Sequence, residues 1–392
     1  MKKMMLATYF VAVSTLVFAQ KKGTSTKMTF GKGVQFASED SLFTLGINGR
    51  VQSLFEGKVD LNKETFGADF LLRRARLNFQ GTALNPKFTY RIQIGFAHGD
   101  ITSANADAEN NLILRDAMLN YQAAKWLKIG FGQTKLPGNR QRQVSSANLQ
   151  LVERSVVNNN FTLDRDKGIW FYTNFKFNKT ILKPTLAISS GEGRIVSNKN
   201  GKLSYTLRTE ILPLGEFKNN GDYVESSLEF EPKPKLAVAG VYSYNQASVR
   251  TMGQLGNYLY NSATSDIKYY GGDLLFKVKG FSFESELYRR ESSAGVIINA
   301  EDTRLKNHVI AGTGFLMQSG YLITKKDEIA VRYGQITPDE KMQSVMNKQQ
   351  EYVLGYSHYF AKHSLKIQTD ATYWVNGTSE SLIYRLSSVV TF

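Results

Sequence analysis

The sequence predicts an all-β chain: a transmembrane antiparallel up-and-down β-barrel of 16 strands with an in-folded constriction loop. Three observations predict it. Apolar–polar alternation recurs from Leu42 to the C-terminus, and the last stretch places Tyr384, Leu386, Ser388, Val390 and Phe392 on one face. Long polar connections alternate with tight turns. The N-terminus, Lys2-Lys3, an apolar run from Met4 to Phe18, then Ala19, has the build of an export signal cleaved after Ala19. That run is shorter than the ~20 residues of a spanning helix. A chain without spanning helices crosses lipid only as closed strands, because the bilayer offers no partner to a backbone N–H or C=O.

After the signal (1–19), residues 20–41 are polar with little pattern and read as a mobile periplasmic N-terminal extension. The barrel is expected over 42–392. In its first strand, 42–55, Phe43, Leu45, Ile47, Val51 and Phe55 alternate with Thr44, Gly46, Asn48, Arg50 and Gln52. In the third, 86–97, Phe88, Tyr90, Ile92, Ile94 and Phe96 alternate with Thr89, Arg91, Gln93 and Gly95. This is the apolar-out, polar-in pattern of a barrel with a wet interior. The others are expected near 68–82, 112–122, 125–134, 167–177, 183–190, 202–212, 235–246, 268–279, 280–290, 309–321, 326–336, 350–360, 363–375 and 381–392.

Segments 56–67, 98–111, 135–166, 190–201, 247–267, 291–308 and 337–349 are long and polar. Between them come tight turns at Ala83-Leu84-Asn85, Ala123-Ala124, Lys279-Gly280 and Ala361-Lys362. Short periplasmic turns, longer external loops and an even strand number put both termini in the periplasm. Residues 213–234 break the rhythm. They are either a long periplasmic connection or a missed strand pair, and Pro213, Pro232 and Pro234 favour the connection. Of 20 Tyr, Tyr121, Tyr242, Tyr244, Tyr269, Tyr270, Tyr321, Tyr352, Tyr356 and Tyr359 lie near strand ends and suit an interfacial girdle.

Cys is absent, which excludes disulfides, thiolate catalysis and Cys-based zinc sites. The formal charge of +15 calls for anionic partners. Export sets nucleic acid aside; lipopolysaccharide phosphates on the outer loops and small anions in a pore remain. The four His (His98, His308, His358, His363) lack metalloprotease spacing, and there is no G-x-S-x-G elbow. Gly312-Thr313-Gly314 lacks the third Gly and the helix of a dinucleotide fingerprint, so it reads as strand with close backbone approach. No enzyme, cofactor or metal is expected.

The informative chemistry is cationic. Arg50, Arg74, Arg76, Arg91, Arg208 and Arg332 fall on the polar faces of strands, as do Lys128, Lys277 and Lys366. Arg or Lys at the lipid midplane costs ~2–4 kcal/mol, so these side chains are expected inside. A lumen lined by them selects anions, and an Arg fork suits phosphate oxygens. Pairing with lumenal Glu284, Glu286 and Asp370 is the structural alternative. Alternation sends Arg73 outward, so either it lies at the rim or the register there differs. Loop 135–166 carries Lys135, Arg140 and Arg142, then Glu153, Arg154, Asp164 and Arg165. Its length and charge suit a loop folded into the lumen, against the alternative of a loose external loop.

At these residues the sequence resembles the phosphate-selective porin O/P family. The matching stretches are Phe70 to Leu77 (FLLRRARL), Asn85-Pro86, Tyr90-Arg91, Leu114-Arg115-Asp116-Ala117, Gly130 to Pro137 (GFGQTKLP), Val152-Glu153-Arg154-Ser155 and Arg165 to Gly168 (RDKG). Pro213 to Phe217, Gly221 to Tyr223 and Pro234-Lys235-Leu236 follow. Gly138-Asn139 departs from the Phe-Gly or Phe-Ser often found there. The resemblance implies a homotrimeric outer-membrane porin with an arginine-lined path, a constricting third loop and periplasmic material at 213–234. The resulting expectation is passive diffusion of small phosphate-like anions past Arg50, Arg74, Arg76, Arg91, Lys135, Arg140, Arg142, Arg154, Arg165, Arg208 and Arg332. The alternative is a docking barrel that binds partner proteins and has no selective pore.

Overall fold

The computed structural model describes residues 25–97, 113–194 and 200–392. The expected signal 1–19 lies outside the described residues, as do the connection 98–111 and His98. A hairpin of β1 (Ser25–Thr29) and β2 (Gly33–Ala37) comes first. The barrel begins with β3 (Thr44–Asp60), β4 (Thr65–Ala83), β5 (Asn85–Gly95), β6 (Leu114–Ala124) and β7 (Leu127–Lys135). Its sixth strand is interrupted at Asn174 into β8 (Arg165–Thr173) and β9 (Phe175–Phe177), both paired to β10 (Thr180–Ser189). Then come β11 (Ser204–Leu212), β12 (Lys235–Ser248), β13 (Ser265–Val278) and β14 (Phe281–Ser292). A short pair, β15 (Ile297–Ile298) and β16 (Lys306–Asn307), sits in the next connection. The wall ends with β17 (Gly312–Leu322), β18 (Asp327–Pro338), β19 (Gln349–Ala361), β20 (Leu365–Asn376) and β21 (Ser379–Thr391).

β21 pairs antiparallel with β3 from Ser381↔Asp60 to Thr391↔Arg50, which closes 16 strands into a barrel. Gly49 and Phe392 exchange backbone hydrogen bonds of 2.8 and 2.9 Å at the end of this seam. Alternation sets the faces. Along β12, Ala237, Ala239, Val241, Ser243 and Asn245 are buried inside, while Val238 and Tyr242 face outward. All 16 expected strands are found. Between β3 and β4 the expected long connection 56–67 shrinks to residues 61–64, because both strands run further than their alternation shows.

Two expectations about faces and ends change. Tyr269 and Tyr359 are each 1% exposed and point inward, whereas Tyr242, Tyr270, Tyr321, Tyr352 and Tyr356 face out. Adjacent Tyr269 and Tyr270 cannot share a face in a strand. The N-terminal stretch also has a definite structure. β21 stops opposite Arg50, so the backbone of Thr44 to Ile47 needs another partner on that side. β2 supplies it, from Val34↔Ile47 to Ala37↔Thr44, and extends the wall at the short-turn rim.

The connection from β7 to β8 folds inside, as expected for 135–166. It carries α1 (Arg140–Gln143) and α2 (Val156–Phe161), the second capped by Ser155, whose hydroxyl accepts from the Asn158 N–H at 3.0 Å. Its apolar side chains Val156, Val157 and Phe161 pack with Tyr269, Tyr288, Leu316 and Ile336 of the inner wall. Glycines make room for it: a Cβ on Gly314 would lie 2.8 Å from Val157, and one on Gly355 2.3 Å from Leu151. Close approach at Gly312-Thr313-Gly314 is thus what the structure shows.

Residues 213–234 form no missed strand pair. They contain one 3-10 turn, Lys218–Tyr223, and their middle bends up into the barrel, where Asp222, Glu225, Ser226 and Ser227 are buried. Lys277 anchors it by donating to the carbonyls of Gly221, Val224 and Ser226 at 2.6–2.8 Å. The segment meets the loop from the other rim: Gln150 N–H donates to Glu225 at 2.8 Å, and Glu225 N–H donates to the Asn148 carbonyl at 3.2 Å.

Candidate functional site

The two inserted segments dock on the β11–β20 side of the lumen; the loop touches the wall of β3–β8 through Ser146 and Glu153 and leaves open space along it. A cavity of about 560 Å³ follows that wall. Ten Arg and one Lys line it, against three carboxylates, Asp116, Glu153 and Asp164. Of the expected residues it gathers Arg74, Arg76, Arg91, Lys135, Arg142, Arg154, Arg165 and Arg208; Arg73, Arg115 and Arg194 join them. A second cavity, about 770 Å³, continues toward the short-turn rim and shares Arg91, Thr134 and Tyr172 with the first. Its lining mixes apolar side chains with the hydroxyls and amides of Gln35, Gln80, Thr82, Thr89 and Asn120, plus Lys27 and Lys128. Lys128 lies 4.4 Å over the Tyr172 ring.

Two β-bulges concentrate the charge. β3 pairs Gln52 with Arg74 but Ser53 with Leu72, so Arg73 is the extra residue on β4. The register does differ at Arg73, as one of the two alternatives had it: the bulge swings it inward beside Arg74 and keeps Leu72, 54% exposed, on the outer face. The same device recurs next door. Gln93 pairs with Asp116 but Ile94 with Leu114, so Arg115 is the extra residue on β6. Each bulge brings two neighbouring charged residues to the lumen, which strict alternation forbids. Arg115 had been visible only as part of the family pattern, and Arg194 carried no sequence signal at all.

Carboxylates organise the cations. Glu153 receives hydrogen bonds from Arg73 at 2.7 and 3.1 Å and from Arg74 at 3.2 and 3.0 Å. Asp116 takes Arg165 at 2.9 and 3.3 Å. Asp164 takes Arg142 and lies 3.6 Å from Arg165. Burial alone would push the Glu153 carboxyl up; the Arg74 and Arg73 charges and their hydrogen bonds outweigh it and hold it well below the usual carboxylate range. Asp164 is held low in the same way, against burial, by Arg142 and Arg165. Arg76 donates to Ser146 at 3.1 Å and Arg91 to Asn78 at 2.9 Å.

Six of the expected residues brace the loop, and three of these, Lys135, Arg154 and Arg208, also line the cavity. Arg140, 1% exposed, donates to Asp273 at 2.8 Å, to Glu210 at 2.7 Å and to the Asp222 carbonyl at 3.0 Å. Arg208 chelates Asp273 at 2.6 and 2.9 Å and reaches the Gly138 carbonyl at 2.9 Å. Arg332 pairs with Glu351 at 2.9 Å and donates to the Glu153 carbonyl at 2.9 Å. Arg154 holds the carbonyls of Gln141 and Val144, both at 2.8 Å. Lys135 holds those of Gln143 and Val144 at 3.1 and 3.3 Å. Arg50 donates to Ser146 at 2.8 Å. The expected acid partners differ: Glu286 takes the Gln141 N–H at 2.6 Å, and Asp370 takes the Val152 N–H at 3.0 Å. Among the described residues no group of three His, Asp or Glu is placed to hold a metal ion.

The family described as phosphate-selective porin O and P matches residues 45–226. No curated protein sequence matches the chain. Among solved structures, the outer membrane channel DcaP of Acinetobacter baumannii is similar at 14% identity and TM-score 0.55, over 91% of this chain and 99% of that one. The anion-selective porin from Comamonas acidovorans is similar at 9% identity and TM-score 0.56, over 89% and 100%. OmpT of Vibrio cholerae in its trimer form is similar at 10% identity and TM-score 0.53, over 89% and 99%. At such identities the likeness is one of fold. Residues 45–226 are thus similar to the phosphate-selective porin O and P family, and the chain has the closed barrel fold of outer-membrane porins.

Proposed function

We propose that the barrel passes small anions, phosphate-like ones included, by passive diffusion along the β3–β8 wall. The observation that carries this reading is the charge of the cavity there, 11 cations against three carboxylates. Clustered charge between low-dielectric walls raises the local concentration of the opposite ion. The anion selectivity stated for the Comamonas porin supports the reading, as does the family's phosphate selectivity by name. The trimer form of OmpT supports a homotrimer. The export signal expected at 1–19 suits a chain sent to the outer membrane and embedded in lipid.

The test is the zero-current potential of single channels in a salt gradient. The parent is expected to be anion-selective, less so as ionic strength rises, because salt screens over a Debye length of ~10 Å at 0.1 M. Arg74→Glu with Arg76→Glu is expected to lower or reverse that potential. Open channels that keep the parent's selectivity would count against the arginine wall and for a docking barrel.

A further inference from the structure

Building on the anion-path reading, we propose that Arg73 and Arg74 form an oxyanion site, and that the carboxylate of Glu153 occupies it as a displaceable stand-in for the passing ion. The geometry is that of a bound ligand. Two guanidinium forks put four N–H donors on two oxygens at 2.7–3.2 Å. Two forks sharing one pair of oxygens is the arrangement that holds a carboxylate or one edge of a phosphate. The bulge at Arg73 is what lets both forks reach it.

Glu153 can leave without the loop moving. Its neighbours are fixed through the main chain: the Val152 N–H on Asp370 at 3.0 Å and the Glu153 carbonyl on Arg332 at 2.9 Å. Among the described residues its side chain is tethered only by the two arginines, and solvent reaches the pair, with side-chain exposures of 32% for Arg73 and 15% for Glu153. Two adjacent guanidinium groups repel each other, so a resident carboxylate between them stabilises the path between ions. An arriving oxyanion takes over the N–H donors; the returning carboxylate then competes it off. Transport needs such weak, exchangeable binding. A chloride ion, a single centre, cannot satisfy two forks at once. The site therefore favours anions that present two oxygens.

The experiment uses the full-length barrel in planar bilayers carrying chloride, titrated with inorganic phosphate and, separately, with acetate. In Glu153→Gln the phosphate concentration that halves the chloride current is expected to fall about tenfold, with acetate following, because the competitor for the forks is gone. Restoring the parent value with Arg73→Lys in the Gln background supports the site, since Lys keeps the charge and loses the fork. Heat-modifiable migration on gels checks that each variant is folded. If the Gln protein does not assemble, Glu153→Asp, one methylene shorter, is expected to shift phosphate block in the same direction. Equal strengthening of chloride and oxyanions, or no change in an anion-selective channel, overturns the proposal. A parent without anion selectivity overturns the reading beneath it instead.

Discussion

The wall of β3–β8 and the wall of β11–β20 follow the same alternation, yet arginine does different things on them. On the first, Arg73, Arg74, Arg76 and Arg91 line open space, and the carboxylates among them are few. On the second, inward carboxylates wait on nearly every strand: Glu210, Asp273, Glu284, Glu286, Glu328, Glu351 and Asp370. They capture Arg140, Arg208 and Arg332 and hold the loop through the N–H groups of Gln141 and Val152. The difference teaches that the role of a lumenal arginine is set by the acid density of the wall opposite it. The loop docks where carboxylates await it and leaves clear the side where they are scarce.

The largest effect comes from breaking the docking wall. Asp273 serves Arg140, Arg208 and the Tyr288 hydroxyl, so Asp273→Ala leaves two buried guanidinium groups short of a partner. Removing one member of a buried ion network costs about 3–5 kcal/mol. A lower temperature of heat-modified migration, and a higher single-channel conductance from a released loop, are expected. A variant with the parent's thermal behaviour and conductance would show that the apolar contacts of α2 dock the loop by themselves.

A smaller effect should follow from removing a bulge on the clear wall. Deleting Arg73 lets β4 pair with β3 without the register shift, while Arg74 still faces in and Leu72 still faces out. The barrel is expected to assemble, since no lipid-facing residue changes side. Anion selectivity should fall by less than in the Arg74→Glu and Arg76→Glu protein, because charge is lost but none is reversed. Failure to assemble would show that the bulge's added twist is needed to close the wall.

The strands were legible because alternation needs only the sequence of each strand. Their long-range pairing then follows from order, and the alternation of the last strand up to Phe392 was readable. What alternation hides is a one-residue insertion. A bulge leaves the composition unchanged and flips only one side chain, so Arg73 was seen as an inconsistency and Arg115 was missed as a lumenal cation. The N-terminal hairpin was hidden for another reason: β2 forms because β21 ends short of Thr44, a fact about the far end of the chain. Residues 213–234 were recognised as long and Pro-bracketed, but what draws them inward is Lys277, on a different strand. Eight of the 11 cations along the cavity were candidates from the sequence; the division into path and brace depended on which carboxylates the closed barrel sets near them.

The smallest expected effect is a null one, and it separates the two walls by pH. Glu153 and Asp164 on the loop face the clear wall, and the arginines there hold both carboxyls below the usual range in spite of burial. A carboxyl whose folded value is depressed stabilises the folded arrangement at every pH above its unfolded value, about 4 for a carboxylate. That contribution is lost only as pH falls through the lower, folded value. The contacts of Glu153 with Arg73 and Arg74, and of Asp164 with Arg142, should therefore persist from neutral pH down to about pH 4. Conductance and the temperature of heat-modified migration are expected to stay level over that window and to change only in stronger acid. A step in conductance at mildly acidic pH in the parent, retained when Glu153 is replaced by Gln, would place the sensitive group on the docking wall. A step abolished by that replacement would show that the arginine pair does not hold Glu153 as tightly as its four hydrogen bonds imply.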